Sequence, residues 1–402
     1  MAHDPSAAPA TFAPADHVEE CTRRSLELLG RNLTPRGVLA ATPGQQAEAR
    51  SYTRVFGRDA AICVLAMAGS GDPALEAGAI ASLDALAEGQ APNGQIPKYV
   101  DPVNRDADFW YLGCIDATLW WLIAVDHVRR HAADPSAVQR WRPAVDRAIQ
   151  WLLAQEHQRF HLLQQNEASD WADIMPRSGF VLYTNALWYR VKLLYDLPQP
   201  DHTRDHFNQL FHPFNRDLQE YRRGRLLGHY ARRGQRNPGL YLSFVNLSFV
   251  GDEGDMFGNV LAVLYGLAGD SMAQQVMRTL RQAVQGEPYP GRSVIRPIQQ
   301  QDELWRLYMG RHQQNHPYQY HNGGVWPFIG GFWTMALAWM GETAEARAEL
   351  AKLAAANEAA GWRFTEWFNG RTLEPCGMPG QSWNAAAFLI ARDAIETDRF
   401  RM

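Results

Sequence analysis

Two stretches of this chain are apolar around nearly their whole helical circumference: DATLWWLIAVDHV (116–128) and GGVWPFIGGFWTMALAWM (323–340). A helix of that kind has no face to leave in water, so other elements must enclose it. A bilayer is not the enclosure, because no uninterrupted apolar run approaches the roughly 20 residues it demands; AAICVLAMAG (60–69) is too short. The chain therefore has to surround these helices with protein.

Amphipathic segments supply that surround: VEECTRRSLELLGRNL (18–33), DPALEAGAIASLDALAEG (72–89), DPSAVQRWRPAVDRAIQWLLAQE (134–156) and TAEARAELAKLAAANEAAG (343–361). Asp72 and Asp134 read as N-caps with proline at the first helical position, and Gly89 and Gly361 as stops. Further helices are predicted over 57–69, 113–131, 180–196, 203–222, 255–268, 271–285, 323–341 and 380–396, about a dozen altogether. The best strand candidates are short, RSVIRP (292–297) and WRFTEWF (362–368). No linker divides the chain and no short-period repeat marks a solenoid. The expectation is an all-α fold, an (α/α)6 barrel or toroid with apolar helices inside, amphipathic ones outside and a few short strands in loops. Residues 17–402 would form one catalytic domain behind a disordered Ala/Pro tail, 1–16.

Composition narrows the chemistry. A net charge of −4 with no Lys/Arg stripe argues against a nucleic-acid or membrane partner. The four cysteines are far apart without a CxxC pair, which fits reduced thiols in a cytoplasmic protein. The tail MAHDPSAAPATFAPAD lacks the basic and apolar regions of a signal peptide. There is no GxGxxG, P-loop, GxSxG elbow or HExxH. His202/His206 and His312/His316 stand at helical spacing, but neither pair has a clear third ligand, so no metal or cofactor is expected.

Polar clusters interrupt the apolar helices near their starts: YTRVFGRDA (52–60), NGQIPKYVDP (93–102), YLGCIDATLWW (111–121), NEASDWADIMPRSG (166–179), YHNGGVWPF (320–328), FTEWFNG (364–370) and GQSWN (380–384). In an α/α barrel, loops at one end of the inner helices converge on a single cleft. Aromatic faces beside acids, amides and arginine suit a sugar, stacking on its C–H face while satisfying its hydroxyls. Cleaving a glycosidic bond needs two carboxyls, one to protonate the leaving oxygen and one to act at the anomeric carbon. Asp173, close to Trp171, is a candidate acid whose pKa apolar packing would raise. Glu366, between aromatics, is the best distant partner. Each cluster alone also has a plain reading: Asp170 or Asp173 as a helix cap, HNGG as a turn, Arg58–Asp59 as a structural ion pair.

In this order the motifs resemble those of the α/α-barrel glycoside hydrolases: the neutral/alkaline invertases (family 100), the processing-glucosidase relatives (family 63) and the trehalases (family 37). VFGRDA, IDATLWW, YHNGGVWP, TEWFNG and GQSWNAAAFL are similar to invertase motifs, YHNGGVWP most specifically. WADIMPRSG departs from the invertases and looks more like the acid motif of the other two branches. Aligning on Pro176–Arg177 places the acid at Asp173 rather than Asp170. The resemblance implies an inverting hydrolase with Asp173 as general acid and Glu366 as general base. It also implies sugar contacts from Phe56, Arg58, Asp59, Lys98, Asp116, Trp120, Trp171, Arg177, His321, Asn322, Trp326, Gln381 and Trp383. Sucrose leads as substrate; trehalose, glucosylglycerate or an α-1,6-glucoside are alternatives. The rivals are an N-acylglucosamine-type sugar 2-epimerase, which would lean on histidines, and a sugar sensor without catalysis. A homo-oligomer is left open.

Overall fold

The computed structural model describes residues 14–110, 112–213, 237–246, 249–311 and 313–397. Its main helices are α1 (Pro14–Arg31), α3 (Gly57–Met67), α4 (Pro73–Glu88), α5 (Ile115–His131), α6 (Ala137–Gln155), α7 (Leu182–Leu194) and α8 (Pro200–Phe211) in the first half. The second half adds α9 (Met256–Leu264), α10 (Asp270–Ala283), α12 (Pro327–Trp339), α13 (Thr343–Trp362) and α14 (Ser382–Glu396). Two single-turn helices, α2 (Gln45–Ala49) and α11 (Leu307–Arg311), lie in loops.

These helices form two rings. α3, α5, α7, α9, α12 and α14 each pack on the next, and α14 returns to α3 to close the circle. α1, α4, α6, α8, α10 and α13 pack around them. Side-chain pattern assigns each helix to its ring. Inner α12 is buried without interruption from Pro327 to Leu337. Outer α10 buries only Ala273, Val276, Met277 and Leu280, the i, i+3, i+4, i+7 stripe of a half-wet helix. Small residues let the inner helices approach: a Cβ on Gly331 of α12 would lie 2.5 Å from the Ala387 carbonyl of α14. The arrangement is the expected (α/α)6 barrel.

Among the described residues, ten strands of two or three residues decorate the loops in antiparallel sheets. One sheet pairs Val55–Phe56 with Tyr99–Val100 and the latter with Ala107–Asp108, which sets Phe56, Tyr99 and Asp108 side by side. WRFTEWF supplies only the strand Trp367–Phe368, while RSVIRP makes isolated bridges through Arg292 and Val294.

Three expectations are corrected. The tail was expected to run to residue 16, but α1 begins at Pro14, as a helix readily does, because the first-turn N–H that proline lacks has no helical partner. Asp134 was expected to cap α6, but that helix begins at Ala137, and Asp134 instead accepts the Ser136 N–H at 2.9 Å in the turn ahead of it. The helix expected over 203–222 starts earlier and ends at Phe211; residues 214–222 lie outside the described part, as do 1–13. No helix among the described residues is long and apolar enough to cross a membrane.

Candidate active site

The starts of the inner helices bring the polar clusters to one end of the ring. Arg58 and Asp59 stand in the first turn of α3, Trp326 just before α12, and Trp383 in the first turn of α14. All four line one cavity of about 270 Å³. Helix N-termini carry partial positive charge, which favours the acids gathered there.

Asp173 and Glu366 lie in the wall of this same cavity, although 193 positions separate them in the chain. Their surroundings differ. Glu366 is buried, and its carboxylate accepts the Tyr52 hydroxyl at 2.6 Å and the Met378 N–H at 2.8 Å. Burial pushes its pKa up to about 7, against the pull of those two hydrogen bonds. Gly377 keeps the carboxyl in place by having no side chain, since a Cβ there would fall 2.3 Å from Glu366 Oε2. Asp173 is the wetter acid, with its side chain 28% exposed and Oδ2 3.3 Å from Lys98 Nζ. The expectation that Trp171 packing makes Asp173 the desolvated carboxyl is therefore corrected. The loop turns its acid toward Lys98, whose ammonium also sits 4.1 Å from the Trp110 ring centre.

Asp170 has a different setting. It is buried outside the cavity wall, accepting from the Ala172 N–H at 2.8 Å and from Gln165 Nε2 at 2.9 Å. Those bonds make it the fixed corner of the loop that carries Asp173. Glu167 holds the far side of the loop, accepting from the Tyr308 hydroxyl at 2.6 Å and lying 3.4 Å from Arg306.

Of the remaining expected contacts, Phe56, Arg58, Asp59, Lys98, Trp171, His321, Trp326 and Trp383 line the cavity. The Trp171 and Trp383 indole nitrogens and His321 Nδ1 are buried without a partner among the described residues, an arrangement that suits a ligand dense in hydroxyls. Burial, with Arg177, Arg58 and Lys98 adding to it, holds His321 well below its ordinary pKa, so its ring is neutral. Asp59 is pushed up to about 6 by burial, opposed by Arg58.

Asp116, Trp120, Arg177, Asn322 and Gln381 do not line the cavity; they support it. Asp116 is fully buried and takes the Arg58 guanidinium at 2.9 Å and the Tyr183 hydroxyl at 3.0 Å, which aims Arg58. Trp120 donates to Tyr183 beneath them at 2.7 Å. Arg177 lies inside the protein, 3.2 Å from Asp255 and 3.7 Å from Glu253. Asn322 spends its amide on the backbone of Ile298 and Asn315, and Gln381 is the buried N-cap position of α14. Seven wall residues were not singled out from the sequence. Tyr52, Tyr99 and Tyr320 stood inside the quoted clusters, where their type was a signal; Arg50, Ser51, Asp108 and Trp110 stood outside them.

His202 and His206 share α8 with ring centres 6.4 Å apart, and His312 of the other pair lies outside the described residues. Among the described residues no group of three or more His, Cys, Asp or Glu side chains is arranged to hold a metal ion.

Residues 255–398 match the family model described as alkaline and neutral invertase. Over 149 residues the chain is 31% identical to the mitochondrial alkaline/neutral invertase C of Arabidopsis thaliana, an alignment covering 35% of this chain and 21% of that protein. The likeness in structure is wider. A GH63 mannosylglycerate hydrolase from Thermus thermophilus superimposes with a TM-score of 0.62 at 16% identity, covering 92% of this chain and 99% of the other. A glycosidase variant solved with glucose gives 0.61 at 16% identity, covering 95% and 97%. The barrel is thus like that of the α/α-barrel glycoside hydrolases in fold, and its last third is similar in sequence to the alkaline and neutral invertases.

Proposed function

We propose that the chain is an inverting glycoside hydrolase for a small α-glucoside, with sucrose the leading substrate. The observation that carries this reading is the convergence of Asp173 and Glu366 on one small aromatic-walled cavity. Glu366 acts as general base: a pKa of about 7 matches proton transfer near neutral pH, and two donors hold its oxygens. Asp173 acts as general acid once a bound sugar takes up Lys98, its partner in the free protein. Arg58, Asp59 and Lys98 bind hydroxyls, and Trp171, Trp326 and Trp383 wall the ring. Matching relatives named as invertases support sucrose, while a neighbour titled a mannosylglycerate hydrolase keeps a glucosylglycerate in contention with trehalose and α-1,6-glucosides. Ring closure between α14 and α3 supports a single catalytic unit, and four unpaired cysteines support a cytoplasmic setting.

One observation favours the reverse division of labour: Glu366 is the carboxyl whose pKa burial raises, and Asp173 the one beside a cation. A single series tests both. Wild type, Asp173→Asn and Glu366→Gln are assayed on sucrose, trehalose and glucosylglycerate, and the first-formed anomer is followed by NMR. Each variant should lose at least a thousandfold on the natural glucoside. On α-glucosyl fluoride, whose leaving group needs no proton, the variant lacking the acid recovers; recovery by Glu366→Gln instead of Asp173→Asn exchanges the roles. Retained anomeric configuration, or full activity in both variants, sinks the proposal.

A further inference from the structure

Trp110 has two sides. One faces the cavity of Asp173 and Glu366; the other lines a second chamber of about 530 Å³, within the 300–1,000 Å³ usual for small-molecule sites. Among the described residues, the chamber's lining contains no charged side chain. Five amides stand in it instead: Gln95, Gln155, Gln164, Gln165 and Asn166. Trp151 joins Trp110 among its aromatic residues.

Gln165 is fixed in place. Its amide nitrogen donates to Asp170 at 2.9 Å and its carbonyl accepts from the Thr184 hydroxyl. An amide bound in this way still has a second N–H and a second lone pair, so it can donate and accept at once with no loss of its own freedom. Paired donors and acceptors on uncharged groups match vicinal hydroxyls, and indole faces match the C–H side of a pyranose. A phosphate or carboxylate would find no cation in this lining to offset its desolvation. The chamber also meets the Asp173 loop, because Asp170, which anchors Gln165, is the corner of that loop.

We propose that this chamber is a second saccharide-binding site, selective for neutral sugars of one or two rings and separated from the hydrolytic cavity by Trp110. It stands independently of the hydrolytic assignment, since it rests on the lining of a different space.

Calorimetry on the full chain with maltose as the probe tests it. The expected result is a maltose site that Gln155→Ala/Asn166→Ala weakens at least tenfold while the melting temperature is kept. Arg58→Ala, in the other cavity, should leave that site intact. Glucose 6-phosphate should bind it at least tenfold more weakly than maltose does. Trp151→Ala adds a check on the aromatic face, judged against its own melting curve because Trp151 also packs on the core. The proposal is overturned if the wild type binds no maltose, if the double variant binds it as the wild type does, or if the phosphorylated sugar binds this site equally well.

Discussion

At the scale of single residues, Tyr52 bears on the charge of Glu366. Its hydroxyl donates to Glu366 Oε1 and so favours the ionised carboxyl, against burial that favours the neutral one. A hydrogen bond to a charged group contributes about 1.5–3 kcal/mol, and one pKa unit corresponds to about 1.4 kcal/mol. Tyr52→Phe should therefore raise the pKa of Glu366 and move the acid limb of the kcat/KM profile up by about one pH unit. An unmoved limb, or one that moves down, shows that Tyr52 does not set the charge of Glu366. This residue was only half legible in the sequence. Its aromatic neighbourhood could be read from YTRVFGRDA, but its partner stands 314 positions away and only the closed ring brings the two together. Asp173 illustrates the opposite failure: its place at the cavity was readable, its exposure was not, because Lys98 approaches from another loop.

At the scale of elements, helix starts were the most readable features, for they depend on neighbours within one turn. Asp72 is the N-cap expected from DPALEAG, with Oδ1 accepting from the Ala74 N–H at 2.8 Å and the Leu75 N–H at 3.2 Å. Asp72→Ala should cost about 1 kcal/mol in urea unfolding without altering hydrolysis, since α4 lies in the outer ring. A loss below about 0.3 kcal/mol would show that water replaces the cap at no cost. The inner helices were legible for another reason: continuous apolar sequence leaves them no other place. The two- and three-residue strands were not. Strands so short carry no periodicity, yet one such sheet aligns Phe56, Tyr99 and Asp108 along the cavity wall. Asp108 was missed for this reason, whereas Arg50 closes the single-turn helix α2 in a loop ahead of the cluster.

At the scale of the whole molecule, buried charge fastens the ring under the site. Arg177 lies among Asp170, Glu253 and Asp255, all buried, and joins the Asp173 loop to the start of α9. Burial pushes Asp255 up to about 6, opposed by Arg177. A carboxyl raised in the folded state above its unfolded value adds stability below the unfolded pKa and loses it as pH rises through the folded one. Arg177→Met removes the opposing cation, raises Asp170 and Asp255 further and strands their charge, a loss of about 3–5 kcal/mol at pH 8. The variant should regain much of that stability at pH 5, where the acids can be protonated. Equal losses at both pH values in thermal melts would mean that packing, not charge, is what Arg177 supplies. The sequence marked Arg177 as a sugar contact because the residue type fits both tasks; only its depth separates them. The same closure has a consequence in time. Gly380 accepts from Asn32 and Thr42, and Ser382 donates to Leu39, so the last helix is laced to the beginning of the chain. Such long-range contacts close late and slowly. A growing chain will have released Arg58, Lys98 and Asp173 from the ribosome well before Glu366 and α14 emerge, and until those arrive it owns no half-working site. On the proposed reading, hydrolysis is thus a property of the finished ring, and a premature stop before α14 should yield a product without hydrolytic activity rather than a slow enzyme.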